Sequence, residues 1–199
     1  MIYGGHQISS SDLLVPNKFT RVIFTFSDGS QLFFNDLRRF GYMKIVTKAE
    51  KEKIWEKDFG IEPLTKEFKF EKFKELFAKR QVKIKAFLLN QKIVAGIGNI
   101  YADEICFCAR ILPWRKVSGL KKEEIKKLFL CSNSVLKRAL KNRGTTFKDF
   151  VDGVGKSGKH LNFLNVYGRT GEKCRRCGKI IKKTKHAGRG THYCPGCQK

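Results

Sequence analysis

Cys174-Arg175-Arg176-Cys177-Gly178 and Cys194-Pro195-Gly196-Cys197, with sixteen residues between Cys177 and Cys194, decide how this chain is read. A Cys-x-x-Cys pair sets two thiolates on one tight turn. Two such pairs complete a tetrahedron around zinc. Gly178 and Pro195-Gly196 allow the sharp turns that the knuckles need. The spacing therefore predicts a zinc ribbon ligated by Cys174, Cys177, Cys194 and Cys197, with Zn as the cofactor and folding coupled to metal binding. His186 and His192, between the knuckles, are read as polar surface groups. The chain has seven cysteines, an odd number, and Met1-Ile2-Tyr3-Gly4-Gly5-His6 lacks the basic-then-apolar pattern of a secretory leader. Metal in a reducing compartment is expected, not a disulfide framework.

Between the knuckles lies Ala187-Gly188-Arg189-Gly190-Thr191. Two glycines free the backbone for close approach and one Arg projects, which suits a phosphate or a minor groove. A solvated turn is the plainer reading. From Arg169 to Lys199 there are ten Lys or Arg and one acid, Glu172. The whole 199-residue chain carries 42 Lys plus Arg against 18 Asp plus Glu, a net charge of +24. Hydrophobic residues make up 41%, enough for a core, so this is not a disordered basic tail. A folded protein of that charge has nucleic acid as its default partner, because each cation that replaces a condensed counterion on a phosphate gains free energy. No run of about 18 apolar residues exists, so no transmembrane helix is expected.

Upstream of the ribbon the text is helical. A long amphipathic helix is expected from about Lys121 to Asn142, burying Ile125, Leu128, Phe129, Val135, Leu136, Ala139 and Leu140. Gly96-Ile97-Gly98-Asn99 feeds another helix that Pro113 stops. With Asn99 as N-cap, the free N–H groups of the first turn make a phosphate clamp, although a lone G-x-G by itself favours mere packing. Thr65 is expected to cap a helix running to about Arg80, with Phe70, Phe73 and Phe77 on its inner face. Ile84 to Leu89 is a short apolar segment, and Cys106, Cys108 and Cys131 read as small buried residues on helix faces. Thr145-Thr146 is expected to cap a short helix over 147–151, before a glycine-rich loop at 152–162.

The N-terminal part reads as β. Arg21 to Phe26 and Gln31 to Phe34 flank the turn Ser27-Asp28-Gly29-Ser30, and Gly41 to Val46 is a candidate third strand. So few strands do not close a sandwich alone. Between hairpin and third strand lies Asn35-Asp36-Leu37-Arg38-Arg39-Phe40-Gly41. Adjacent arginines beside an aromatic suit a probe of a base stack. An Arg paired to Asp36 with Phe40 in the core is the other reading.

Several segments, in this order, resemble formamidopyrimidine-DNA glycosylases: Phe34 to Gly41, Gln91 to Glu104, Gly144-Thr145-Thr146, Val166-Tyr167-Gly168-Arg169 and the terminal finger. The resemblance implies an α+β chain with a partial antiparallel β-sandwich at 1–48 and a linker at 49–64. A helix–two-turns–helix DNA-binding domain at 65–163 and a zinc finger at 164–199 follow. It implies a monomer in the bacterial cytoplasm, associated with the nucleoid, acting on double-stranded damaged DNA. The activity implied is that of a glycosylase and AP lyase that flips out an oxidised purine, cleaves its glycosidic bond and nicks the strand. By the same resemblance Arg38 and Phe40, with Arg39 beside them, fill the void left by the flipped base, Asn99 contacts phosphate, and Arg80 is a basic DNA contact. Arg189 grips phosphate near the lesion and is the proton donor of the δ-elimination step.

The family's nucleophile is an N-terminal proline amine followed by glutamate. The prolines here are Pro16, Pro63, Pro113 and Pro195. Phe19 stands where a DNA-touching histidine is usual, and Ser157 where proline is common in the closing loop. The expectation is an incomplete chain that lacks the N-terminal catalytic segment and binds DNA without excising bases. Two alternatives stand beside it: a non-enzymatic zinc-ribbon nucleic-acid-binding protein, and the sister glycosylase acting on oxidised pyrimidines.

Overall fold

The computed structural model describes residues 16–36, 39–78, 80–146, 158–186 and 188–199. These fall into two units, one of residues up to 45 with 139–163, the other of residues 46–138 with 164–199.

In the first unit, β1 (Thr20–Thr25) and β2 (Gln31–Asn35) pair antiparallel, with Val22 opposite Phe34 and Phe24 opposite Leu32. The hairpin is the expected one. Gly29 turns it in the left-handed region at φ 80°, and Asp28 Oδ1 accepts from both the backbone N–H and the hydroxyl of Ser30. The expected third strand is not formed. Residues 41–46 run without a ladder partner among the described residues, and Tyr42 and Ile45 are exposed. The expected helix over 147–151 lies outside the described residues, as does 152–157 of the glycine-rich loop. The end of that loop returns as Lys159, bridged to Thr145, and a 3-10 turn over His160–Phe163.

The second unit is helical with a terminal hairpin. The charged connector contains α1 (Lys48–Asp58), started by a Thr47–Glu50 capping box and burying no residue. The expected helix from Thr65 is shorter. Only α2 (Phe70–Glu75) forms, because Thr65 turns its hydroxyl back onto the Glu62 carbonyl and Lys69 takes the N-cap position. The apolar run Ile84–Leu89 is itself a helix, α3. It is followed by α4 (Asn99–Ala109), which ends on Arg110 in the left-handed conformation, and by α5 (Lys122–Lys141), whose residues 139–141 belong to the first unit. The periodicity of α5 holds for Ile125, Leu128 and Val135, but Leu140 is exposed.

Phe73, Ile84, Phe87, Leu88, Ile105 and Leu128 are fully buried and bring α2, α3, α4 and α5 into one core. Its phenylalanines pack edge to face and tilted, as in Phe73 with Phe77 at 5.1 Å and Phe77 with Phe87 at 4.4 Å between ring centroids. Truncating a ring at this depth, as in Phe73→Ala, costs about 3–5 kcal/mol. A smaller cluster of Phe107, Val166, Cys174, Ile181 and Cys194 joins the end of α4 to the cysteine knuckles. The last hairpin, β3 (Lys182–His186) with β4 (Arg189–Tyr193), is antiparallel and pairs His186 with Arg189 at its tip.

Candidate metal centre and nucleic-acid interface

The four cysteines converge. One sulfur from each of Cys174, Cys177, Cys194 and Cys197 lies within 4.8 Å of the others, with Cys174 to Cys197 at 3.8 Å and Cys177 to Cys194 at 3.4 Å. Tetrahedral zinc at an S–Zn distance of about 2.3 Å requires sulfurs about 3.8 Å apart, so the quartet fits the ion. Burial alone pushes the Cys174 thiol up, but N–H groups of Arg176 and Cys177 and the neighbouring thiols outweigh it and bring it down to about 7. Cys197, by burial and its sulfur neighbours, is pushed up to about 12. One thiolate thus forms readily and resists its neighbours' ionisation, which a divalent cation relieves. Neither histidine joins the quartet. His186 stacks on Trp114 at 4.9 Å. His192 corrects the surface reading: it is 6% exposed and buried against Asp103.

What seats the hairpin is a polar network that the sequence did not announce. Lys85 and Asp103 are both fully buried and form an ion pair at 2.6 Å. The Lys85 ammonium also donates to the Gly190 carbonyl at 2.8 Å and to the Thr191 hydroxyl at 2.9 Å. Asp103 Oδ2 accepts the His192 backbone N–H at 2.8 Å and faces its ring Nδ1 at 3.2 Å. One residue along α4, the Glu104 carboxylate accepts the backbone N–H groups of Asn165, Val166 and Tyr167 and the Asn165 amide. Buried charges this well paired fix geometry more than they add stability. They hold β4 and the segment 165–167 to adjacent residues of one helix.

At the N-terminus of that helix, Gly98 is the N-cap and Asn99 the first helical residue, which corrects the expected cap. Asn99 Nδ2 points at the Gly190 carbonyl at 3.3 Å and the Tyr167 hydroxyl at 3.4 Å, and its Oδ1 is buried with no hydrogen-bond partner. The mouth of α4 therefore gathers its free backbone N–H groups, Asn99, Tyr167 and the strand that begins with Arg189. Arg189 is exposed beside Gly188, which is in the left-handed region at φ 69°. Helix-end N–H groups beside an Arg on a tip are chemistry that suits an anion.

The other expected site residues are placed less closely. Arg80 is exposed and turns its Nε onto the Leu76 carbonyl at 2.7 Å. Arg38 lies outside the described residues. Arg39 is in the left-handed region at φ 56°, its N–H donating to Asp36 Oδ1 at 2.9 Å, and Gly41 donates to Oδ2 of the same carboxylate. Asp36 thus organises the turn. Phe40 is 77% exposed, which removes the core reading for its ring. Lys85, Asp103, Glu104 and Tyr167 were not singled out as site residues. Lys85 alone carried a usable signal, as a lone cation within an apolar run.

A family model described as the formamidopyrimidine-DNA glycosylase H2TH domain matches residues 59–151, and one described as the zinc finger found in FPG and IleRS matches residues 171–199. The formamidopyrimidine-DNA glycosylase of Listeria monocytogenes (strain EGD-e) is 45% identical over 184 residues, 92% of this chain and 67% of that protein. That of Streptococcus mutans is 39% identical over 196 residues, 98% of this chain and 72% of the relative. Among solved structures, MutM (Fpg) from Thermus thermophilus superposes with a TM-score of 0.86 at 34% identity, covering 99% of this chain and 73% of that one. The Lactococcus lactis Fpg complexed with DNA containing an abasic site gives 0.84 at 38% identity, covering 98% of this chain and 71% of that one. The chain spans about two thirds of the length of the first of these curated relatives. The chain belongs to the formamidopyrimidine-DNA glycosylase family of DNA-repair proteins.

Proposed function

We propose that these residues are the DNA-gripping part of a bacterial base-excision glycosylase and AP lyase that acts on oxidised purines in duplex DNA, one protein copy per lesion, at the nucleoid. The observation that carries this is the junction of α4 with β4. Asn99 Nδ2 lies 3.3 Å from the carbonyl of Gly190, the residue next to Arg189, so the helix mouth and the base of the cationic tip lie side by side. In this reading Asn99, Tyr167 and Arg189 seat a backbone phosphate, with Arg189 also the proton donor of δ-elimination. Arg80 is a further phosphate contact, and Arg38, Arg39 and Phe40 occupy the gap left by the extruded base. The exposure of Phe40, Arg80 and Arg189 supports these roles. So does the Lactococcus lactis relative solved with abasic-site DNA. Residues 65–163 and 164–199 then serve as the helix–two-turns–helix domain and the finger. Among the described residues no helix is long and apolar enough to cross a membrane.

Catalysis in this family, by the resemblance above, runs through a proline amine. Pro16, Pro63, Pro113 and Pro195 lie within the chain, so their nitrogens are amides and not nucleophiles. A polypeptide of these 199 residues is therefore expected to bind without excising. Fluorescence anisotropy with a duplex carrying an abasic-site analogue, and with the intact duplex, tests the reading, together with borohydride trapping. Preference for the abasic duplex without a covalent adduct is expected. Equal affinity for both would make the chain a general nucleic-acid binder, and a trapped adduct would require a lysine nucleophile.

A further inference from the structure

Cys108 on α4 and Cys131 on α5 are bonded as a disulfide, with their Cα atoms 5.8 Å apart. That spacing lies in the middle of the range a disulfide bridges without moving the backbone. Each cysteine sits on its own helix, and both helices contribute residues to one core. The neighbouring thiol is excluded from the chemistry. Cys106 is fully buried, and burial, with the Asp103 charge adding to it, pushes that thiol far up. Cys108 is the more open of the bonded pair, since Cys131 is 8% exposed.

The position matters because α4 is the platform of the site. Its mouth carries Asn99, its middle carries Asp103 and Glu104, and Phe107 in its last turn packs into the finger core. Arg176 of the first knuckle stacks over the Phe107 ring at 4.2 Å and donates to the Phe107 carbonyl at 3.1 Å. Cys108 is the next residue. A covalent bond there fixes to α5 the helical turn on which the finger rests.

We propose that Cys108 and Cys131 are a reversible thiol–disulfide couple, closed by small-molecule disulfides of the glutathione class and reopened by thiols, that staples the finger-bearing end of α4 to α5. In closing, the Cys108 thiolate attacks one sulfur of the small disulfide, whose S–S bond breaks as one thiolate leaves. The Cys131 thiolate then attacks Cys108 Sγ and expels the second. Two protein thiols are oxidised and one small disulfide is reduced to two thiols, which take up the two protons. The seven-cysteine sequence with no secretory leader pointed to reduced thiols. A couple that titrates with the surrounding thiol pool gives the chain two states, one cross-linked. Its consequence for function rests on the reading of α4 as the helix that seats phosphate.

The test uses the zinc-loaded 199-residue chain equilibrated in glutathione buffers from reducing to oxidising. Differential alkylation with peptide mapping then counts each thiol, and thermal unfolding is followed in parallel. Cys108 and Cys131 are expected to become protected together in one two-electron step, with the melting temperature rising by roughly 10 °C on oxidation. Cys131→Ser is expected to abolish both the step and the rise, with zinc content unchanged. Between the two melting temperatures, only the oxidised form should hold duplex DNA. Thiols that stay reactive in the most oxidising buffer, or that titrate independently, overturn the couple. An equal rise in Cys131→Ser, or equal duplex binding by both forms at that temperature, overturns the staple. A cooperative step and rise in a protein that ignores DNA in both states would leave the couple standing and defeat the proposed function instead.

Discussion

Removing the Asp103 carboxylate is the sharpest perturbation of the junction between helix and finger. In Asp103→Ala the Lys85 ammonium keeps the Gly190 carbonyl and the Thr191 hydroxyl but loses its counter-charge, with both side chains of the pair fully buried in the wild type. The His192 N–H loses its acceptor as well. Stripping one partner from a buried pair costs about 3–5 kcal/mol, because the remaining charge stays out of water. For a chain of this size that lowers the melting temperature by roughly 10 °C. Lys85→Met should cost a comparable amount, since the carboxylate is then left without its cation. The double variant Lys85→Met/Asp103→Leu leaves no charge stranded, so its cost should fall short of the sum of the two by about 2 kcal/mol. The assay is thermal unfolding by circular dichroism on zinc-loaded protein, all four members of the cycle side by side. Strict additivity of the two single losses, or an Asp103→Ala protein that melts with the wild type, would refute the idea that this pair ties α3 to α4 beneath β4.

Other expectations follow from the same geometry. Arg189→Ala should weaken duplex binding and flatten the dependence of log affinity on log salt by about one unit, the share of one phosphate contact. An unchanged slope makes Arg189 a turn residue only. The Arg115 hydrogen bond, foremost among the causes, holds the Glu124 carboxyl below its usual 4.5. A depressed acid stabilises the fold above its unfolded value and loses that contribution as pH falls through its folded value. Wild type and Glu124→Gln should therefore differ in melting temperature at pH 6 and converge at pH values well below the ordinary glutamate range; a gap that persists in acid would rule the pair out as the source.

The parts of the molecule that could be read from the chain were those with a local rule. The cysteine quartet was readable because two short knuckles leave one metal geometry. The inner face of α5 was readable because Ile125, Leu128 and Val135 repeat at helical spacing. The hairpin of β1 and β2 was readable from the Asp28-Gly29 turn. Helix α1 escaped notice because it is charged all round and buries nothing, although Thr47 and Glu50 carry its cap in plain view. Helix α2 was overextended because the Phe70, Phe73 and Phe77 repeat continues past the point where the backbone stays helical. Lys85, Asp103 and His192 acquire their roles only when α3, α4 and β4 meet, and no spacing rule links Asp103 to His192, 89 positions away. The Cys108–Cys131 bond is hidden for the same reason, across a loop that joins two helices.

The central claim is that the metal knuckles hold the Arg189 tip against the mouth of α4 so that both grasp one phosphate strand. Duplex affinity at modest salt, measured on the zinc-loaded chain and again after a chelator has removed the ion, tests it directly. Affinity is expected to fall by at least roughly tenfold on zinc removal, the loss of one or more charge-assisted phosphate contacts, and to return when zinc is restored. Binding that is indifferent to the ion would contradict it.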